Sequence, residues 1–465
     1  MTNAPHHPDQ VEPTPTAAKP RKTWSAGSLT YSAGGLALLT ILLLSGDFAW
    51  SMRERSVQPL FQILLRKYDA SDFLTSLLVG SVPALLTVIV WPVVSVWSDR
   101  TRTRWGRRIP FLFFPTPFIC VAMAGLAFAP EIGTRLHQFA GHAGSAHPFI
   151  LATFGFFWVV FEVFALVTNS VFYGLVNDTV PRAMIGRFFA LFRMAGLGAA
   201  IYFNFSLIGY SETHAREVFL AIAAVYVIGF STMCLFVKEG TYPTPPPRDA
   251  RENFRGKVVR YFRECGQDRT IRWAFLALSL ANLAALPVNL FSIYNAQSYG
   301  LDAAHYGKLL ATSFIISFAI SFPIGWLADR FHPMGIVTLC LAVHAGTVIA
   351  GFFLIEDAHA FGIFFIVHTV LSGCVNTASL AVYPLVFPQA QFSQFYSAFS
   401  LLNNFLIFAV SPVLGGILKV THSWYQLTFL LSGLIGISAC FFTTRWLWQL
   451  TRPNIPPTTA ESDND

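Results

Sequence analysis

WSDRTRTRWGRR, Trp97 to Arg108, is a basic stretch between two apolar windows, 73 to 97 and 109 to 130. Each window is about as long as a helix must be to cross roughly 30 Å of hydrocarbon, so the stretch reads as a short polar loop between two membrane crossings. The pattern continues in both directions. The first half of the chain gives spans at 33 to 62, 73 to 97, 109 to 130, 149 to 175, 187 to 209 and 217 to 237. In the second half they fall at 272 to 297, 306 to 327, 334 to 355, 360 to 384, 395 to 418 and 424 to 449. Composition agrees: of 465 residues, 54% are hydrophobic and only 12% charged, with a mean hydropathy of +0.54. Helices are expected because a spanning segment must satisfy its own backbone hydrogen bonds in lipid, and the ten-residue alternation of a barrel is absent. An all-α membrane protein with twelve transmembrane helices follows.

Most Lys and Arg residues fall on the side shared by both ends of the chain, which predicts cytosolic termini. The net charge of +7 then suits anionic headgroups of the bilayer, and no nucleic-acid partner is needed. The sequence divides into a structureless cytosolic tail (1–28), a six-helix bundle (29–237), a cytosolic linker (238–270), a second bundle (271–450) and a tail (451–465). Prolines in EGTYPTPPPRDA interrupt the linker, and its second part carries Phe254, Val258, Tyr261 and Phe262 at the spacing of an amphipathic surface helix. The amino-terminal segment lacks the short apolar core of a cleaved signal peptide. Cys120, Cys234, Cys265, Cys340, Cys374 and Cys440 form no paired motif, so neither disulfide nor metal chemistry is expected. His137, His142 and His147 fit no standard zinc spacing.

The halves echo each other. Asp99-Arg100 after span 2 corresponds to Asp329-Arg330 after span 8, and VPRAMIGRFFALF from Val180 aligns with FPQAQFSQFYSAF from Phe387. Two matches in the same order argue for an internal duplication.

With SDRTRTRWGRRIPF between spans 2 and 3 and a weaker copy between spans 8 and 9, the chain resembles the major facilitator superfamily, closest to its glycoside-pentoside-hexuronide and sucrose-transporter-like branch. The resemblance implies two pseudo-symmetric six-helix bundles working by alternating access. It implies that Asp99, Arg100, Gly106, Arg107 and Arg108, with Asp178, Arg187, Asp329 and Arg330, form loops that latch the cytosolic side. Positive-inside orientation alone would explain the arginines of that loop, though not its Asp or Gly. Glu162 precedes Asp178 by sixteen residues, the position of the proton-coupling carboxylate in sucrose-transporter-like proteins. Eleven residues after it, where that family has a sugar-binding Arg, this chain has Tyr173, a departure that weakens transfer of sucrose specificity. Span 2 carries only Asp72, at its outer edge, so the acidic cation site of the glycoside branch is not expected and proton coupling is.

Six residues of fixed charge type lie within the spans: Asp47, Glu54 and Glu162 against Arg53, Arg55 and Arg193. Unpaired, they would cost roughly 15–20 kcal/mol on insertion scales, which calls for pairing or water. Seven residues turn a helix through about 700°, so Asp47 and Glu54 fall on one line with Arg53 and Arg55 to either side. That stripe could bind sugar hydroxyls, form a salt-bridge lock with Glu162 or Arg193, or lie at the outer interface. Glu162, among aromatics in FGFFWVVFEVFALV, is either the group that takes and releases the coupling proton or a Glu held by Arg193 or Arg55. Arg193 either faces the cavity or snorkels to the surface. Polar residues of the second half are neutral, and Asn289, Asn295, His368, Asn376 and Asn403 are its candidate cavity residues, each equally suited to an interhelical hydrogen bond.

The expected function is secondary transport of a sugar or small glycoside with protons, by a monomer in the inner or plasma membrane. Two alternatives stay open: transport of an organic anion, peptide fragment or drug, and a sensor that transports nothing. No phosphate-cradling GxxxxGK[ST] loop, GxSxG or HExxH occurs, so no enzyme is expected, and no cofactor.

Overall fold

The computed structural model describes residues 23–141, 144–242, 269–387 and 391–451. Among these residues, twelve helices are long and apolar enough to cross a membrane. In the first half they are α1 (Ala33–Lys67), α2 (Asp72–Arg100), α3 (Ile109–Ala127), α4 (His147–Thr179), α5 (Arg182–Leu207) and α6 (Ser211–Phe236). The second half contributes α7 (Arg269–Ser298), α8 (Ala303–Arg330), α9 (Pro333–Leu354), α10 (Ala358–Val386), α11 (Gln394–Val420) and α12 (Leu427–Trp448).

Packing repeats from half to half. In the first bundle α1 packs on α6 and α5, α3 on α4 and α6, and α2 on α4; in the second α7 packs on α12 and α11, α9 on α10 and α12, and α8 on α10. Between the bundles the equivalent pairs α2–α11 and α5–α8 meet. The fold is two pseudo-symmetric six-helix bundles, the layout expected of the duplicated sequence.

Several boundaries differ from the sequence reading, for local reasons. α1 continues past 62 because Ile63, Leu64 and Leu65 are buried and Arg66 and Lys67 complement the negative end of the helix. α3 stops at Ala127, and beyond Phe128 a separate helix, Ala129–Phe139, occupies what looked like loop. α7 is broken between Leu283 and Leu286, where Pro287 lacks an N–H and its ring would collide with the carbonyl four residues back. Trp24–Ala26, read as structureless tail, and Leu29–Tyr31, read as the start of the first bundle, form an antiparallel hairpin turned at Gly27, whose φ is +57°. Its Tyr31 hydroxyl donates to the Thr179 carbonyl at 3.0 Å, tying the hairpin to the end of α4. The amphipathic linker segment and the outer parts of both tails lie outside the described residues.

Each helix buries one face in its own bundle, but the two ends of the molecule differ. At the face opposite the Trp97–Arg108 loop, the apolar cores of both halves are continuous, Phe61 and Trp158 joining Phe291, Tyr294 and Phe429. Toward the loop face the second half has a core of its own, around Phe275, Val337, Tyr383 and Phe399. Small residues let the helices approach at the joined end: a Cβ at Gly415 would collide with Ser76, and one at Gly307 with the Asn204 carbonyl. The hydrogen bonds between halves follow suit, including Gln62 Nε2 to the Leu290 carbonyl, Tyr294 hydroxyl to the Gln62 carbonyl and Ser81 hydroxyl to the Phe408 carbonyl, 2.8–3.0 Å. The halves are therefore closed at the face opposite the loop and part toward the loop face.

Candidate functional site

On the first bundle, α1 and α4 bring most of the candidate charges together. Arg53 is fully enclosed and does not flank the cavity as expected. Its guanidinium donates to Asn169 Oδ1 at 2.7 Å, to Thr168 Oγ1 at 3.3 Å and to Glu54 Oε2 at 3.0 Å, and lies over the rings of Tyr226 and Phe161. Enclosure between α4 and α6 explains the departure: both terminal nitrogens of the planar cation are bonded and its face stacks on rings, which steadies it away from water, while its buried Nε meets no partner among the described residues. Asn169 also accepts from Trp50 Nε1 at 2.7 Å and offers its amide to Glu54.

Glu54 is the exposed member of this network, its side chain 40% accessible. Asp47 is buried, and among the described residues its Oδ2 meets no partner, so the two acids do not share one exposed stripe. Arg55 is exposed and makes no hydrogen bond or ion pair among the described residues. Glu162 stands within electrostatic reach of Glu54 and Arg53 and, among the described residues, has no hydrogen-bond partner. Tyr173, in reach of Asp47, Arg55 and Glu54, presents its ring edge to Trp50 at 5.9 Å.

Arg193 pairs with none of the acids: it crosses to the other bundle, donating to Ser321 on α8 at 3.1 Å. In the second half Asn289, in the first turn after the α7 break, lines a cavity of about 250 Å³ between the halves, with Gln58, Gly80, Thr87 and Asn404. His368 is buried behind it, its Nε2 3.2 Å from Asn289 Oδ1. Asn295 does not line the cavity. It is enclosed, with its amide directed to the Tyr425 carbonyl and the Thr428 hydroxyl, because the α7–α12 contact needs an interhelical bond there. Asn376 is exposed on α10, and Asn403 carries a buried Oδ1 with no partner among the described residues.

The loop residues form a clasp. Arg107 grips Asp178 with two nitrogens, at 2.7 and 3.0 Å, and Arg108 bridges Asp99 at 2.6 Å and Asp178 at 3.3 Å. Glu239, just past α6, accepts the backbone N–H groups of Arg107, Arg108 and Ile109 at 2.7–2.9 Å, so its carboxylate caps the positive end of α3. Gly106 is required there: its φ is +107°, and a Cβ would strike the Glu239 carboxylate. The ring of Tyr242 lies under Arg107. Desolvation opposes the Arg107 charge, but the hydrogen bond and charge of Asp178 outweigh it and hold the guanidinium above its ordinary range. Among the described residues the partners in this clasp lie in the first bundle and the first residues of the linker and none in the second bundle, so in this state, with the halves parted at this face, it does not bridge them. Asp329 and Arg330 lack the Gly-Arg-Arg that would make a second clasp. Arg330 lies over Trp326, while Asp329, Arg100 and Arg187 are exposed.

At the opposite end, Asp72 accepts from the Tyr425 hydroxyl at 2.6 Å and from the Ser423 hydroxyl at 2.5 Å, and Arg66 donates to Tyr425 at 3.0 Å. Glu212 adds a link, accepting the N–H of Ala303 at 2.9 Å. Sequence reasoning missed Asn169, although it stands two turns beyond Glu162 on the same face. It also missed Glu239, His344 and the Asp72–Tyr425 pairing, whose partners are too far apart in the chain for any pattern to reveal. Among the described residues, no cluster of His, Cys, Asp and Glu could hold a metal ion.

Solved structures with this architecture include a D-xylose-proton symporter (12% identity, TM-score 0.60, 88% of this chain and 96% of that one). The nucleoside transporter NupG is similar to the same degree (12%, TM-score 0.60, 88% and 98%). By sequence, the chain is 27% identical over 110 residues to the sucrose transport protein SUT4 of Oryza sativa subsp. indica, 24% of this chain and 18% of the relative. It is 25% identical over 247 residues to the general alpha-glucoside permease of Schizosaccharomyces pombe, 50% of this chain and 42% of the relative. The chain thus spans less than half the length of either relative. A family model for MFS/sugar transport proteins matches residues 64–394, well over half of the sequence, and with the twelve-helix fold this makes the chain a member of the MFS/sugar transport protein family.

Proposed function

We propose that the protein is a secondary active transporter that moves a sugar or small glycoside by alternating access, coupled to protons. The observation that carries this reading is the arrangement at mid-membrane. On the first bundle Glu54 takes the amide of Asn169 and stands within electrostatic reach of Glu162, while the cavity between the halves has Gln58 and Thr87 on one wall and Asn289 and Asn404 on the other. Amides and hydroxyls both donate and accept, so these two walls suit a polyhydroxylated solute. Glu162, without a hydrogen-bond partner among the described residues, is the group assigned to the coupling proton. Closure at one face with parting at the other corresponds to one of the two states that alternating access requires. Positive-inside orientation puts the loop face in the cytosol, in an inner or plasma membrane. The relatives named for sucrose and alpha-glucosides support the solute class.

Uptake by proteoliposomes, with a panel of sugars under an imposed pH gradient, tests this. Glu162→Gln is expected to abolish proton-driven accumulation while sparing counterflow; full accumulation by the variant refutes the assignment. Arg55, exposed and unpaired among the described residues, favours an organic anion as the second reading. A thermal-shift screen in which anions stabilise the protein and sugars do not would select it.

A further inference from the structure

A hydrogen-bonded chain runs from the interior of the second bundle to the cavity wall. His344 on α9 is buried, and its Nε2 lies 2.9 Å from Nδ1 of the equally buried His368 on α10. On its other side His368 turns Nε2 to the side-chain oxygen of Asn289, the residue that lines the cavity. His344 Nδ1 is buried and, among the described residues, has no partner.

These contacts determine where the protons sit. Asn289 presents Oδ1, which only accepts, so His368 donates from Nε2; in a neutral ring its Nδ1 is then the acceptor. His344 must donate from Nε2, which leaves its own Nδ1 as an unmet acceptor. The reverse wiring would place an N–H at that buried nitrogen with nothing to receive it, and orphaned buried donors are rarer than orphaned acceptors. With its oxygen held, Asn289 can offer the cavity only the two N–H bonds of its amide. A free amide could turn either end to a ligand; this one cannot.

We propose that His344 and His368 are positioning residues that lock the Asn289 amide as a donor toward an oxygen of the transported solute. The solute class it selects carries a hydroxyl, ether or other acceptor oxygen at that point, and a solute presenting an ammonium or another donor there is rejected. This rests on the reading of the cavity as a sugar site and adds the polarity of one of its contacts. In this wiring both imidazoles are neutral and joined nitrogen to nitrogen, so the amide is oriented without a charge in the second bundle.

The test has two arms. In the first, reconstituted protein takes up radiolabelled sucrose and maltose. His344→Leu, which removes the donor, is expected to raise KM about three- to tenfold, the value of one hydrogen bond, with the maximal rate retained. His344→Gln, whose amide N–H can stand where Nε2–H stood, is expected to restore KM. Loss of maximal rate with unchanged KM, or equal KM in the Leu variant and the unmodified chain, overturns the positioning role. In the second arm, nitrogen NMR of histidine-labelled protein in lipid reads the tautomers without any solute. Two neutral rings protonated at Nε2 support the wiring, and an Nδ1–H or a charged ring at either residue overturns it. Failure of the unmodified protein to take up either sugar overturns the sugar reading, and the nitrogen spectra distinguish that outcome from a wrong wiring.

Discussion

Asp72 holds the closed end of the molecule together, and removing it has a calculable consequence. Its carboxylate receives the Tyr425 and Ser423 hydroxyls at 2.6 and 2.5 Å, both from the other bundle. Hydrogen bonds to a charged group contribute about 1.5–3 kcal/mol each; taking the low end, because the site borders water, Asp72→Ala removes about 3 kcal/mol from the closed form. When this face opens, the carboxylate is hydrated and the substitution costs nothing there. At about 1.4 kcal/mol per decade, the equilibrium should move about 100-fold toward opening at this face. Spin labels at Phe139 and Val420, both largely exposed residues of opposite halves, report the separation. The distance distribution is expected to shift to longer values in Asp72→Ala and less in Asp72→Asn, which keeps one acceptor. A distribution identical to that of the unmodified protein, in a variant that remains folded, refutes the reasoning.

Two further predictions concern stability. Arg53→Leu deletes enclosed bonds to Asn169 and Thr168, while the Glu54 pair, being half in water, adds little. A loss of about 3–5 kcal/mol is expected, read as a lower thermal midpoint in detergent; Arg55→Ala should leave the midpoint unchanged, and equal effects would contradict the enclosure of Arg53. Asp302 caps α8, accepting the N–H of His305 at 2.7 Å, and that backbone bond holds its carboxyl below the usual range. Such a depressed carboxyl contributes stability above the ordinary value near 3.9 and loses it as pH falls through the folded value. Asp302→Ala should therefore lower the midpoint at neutral pH by an amount corresponding to about 1 kcal/mol, with the difference from the unmodified protein closing in acid. A pH-independent difference would mean the carboxylate is not the cap.

The twelve crossings were legible in the sequence because each is a local property: about twenty apolar residues in a row can do little else in a bilayer. The duplication was legible too, in the paired Asp99-Arg100 and Asp329-Arg330 and in the segments after spans 4 and 10. At the loop, the family resemblance implied a latch that included Arg107, Arg108, Asp99 and Asp178, and the structure joins these four residues within one half. Its other partners, Glu239 and Tyr242, lie 130 or more residues beyond the loop and left no local pattern. Helical geometry correctly set Asp47, Arg53, Glu54 and Arg55 at their angles around α1. It could not say which angle faces a neighbour, and so placed Arg53 in the cavity when α4 and α6 in fact enclose it.

By itself, then, the sequence determined the membrane location, the number of helices, the two halves and the chemical types available at the centre. Tertiary structure decided the rest: that Asn295 is enclosed against α12 while Asn289 faces the cavity, that Arg193 crosses to Ser321, and that the halves close through Asp72. The reason is physical. Hydropathy acts residue by residue along the chain, whereas burial, pairing and closure depend on which helices meet, and those contacts join positions hundreds of residues apart.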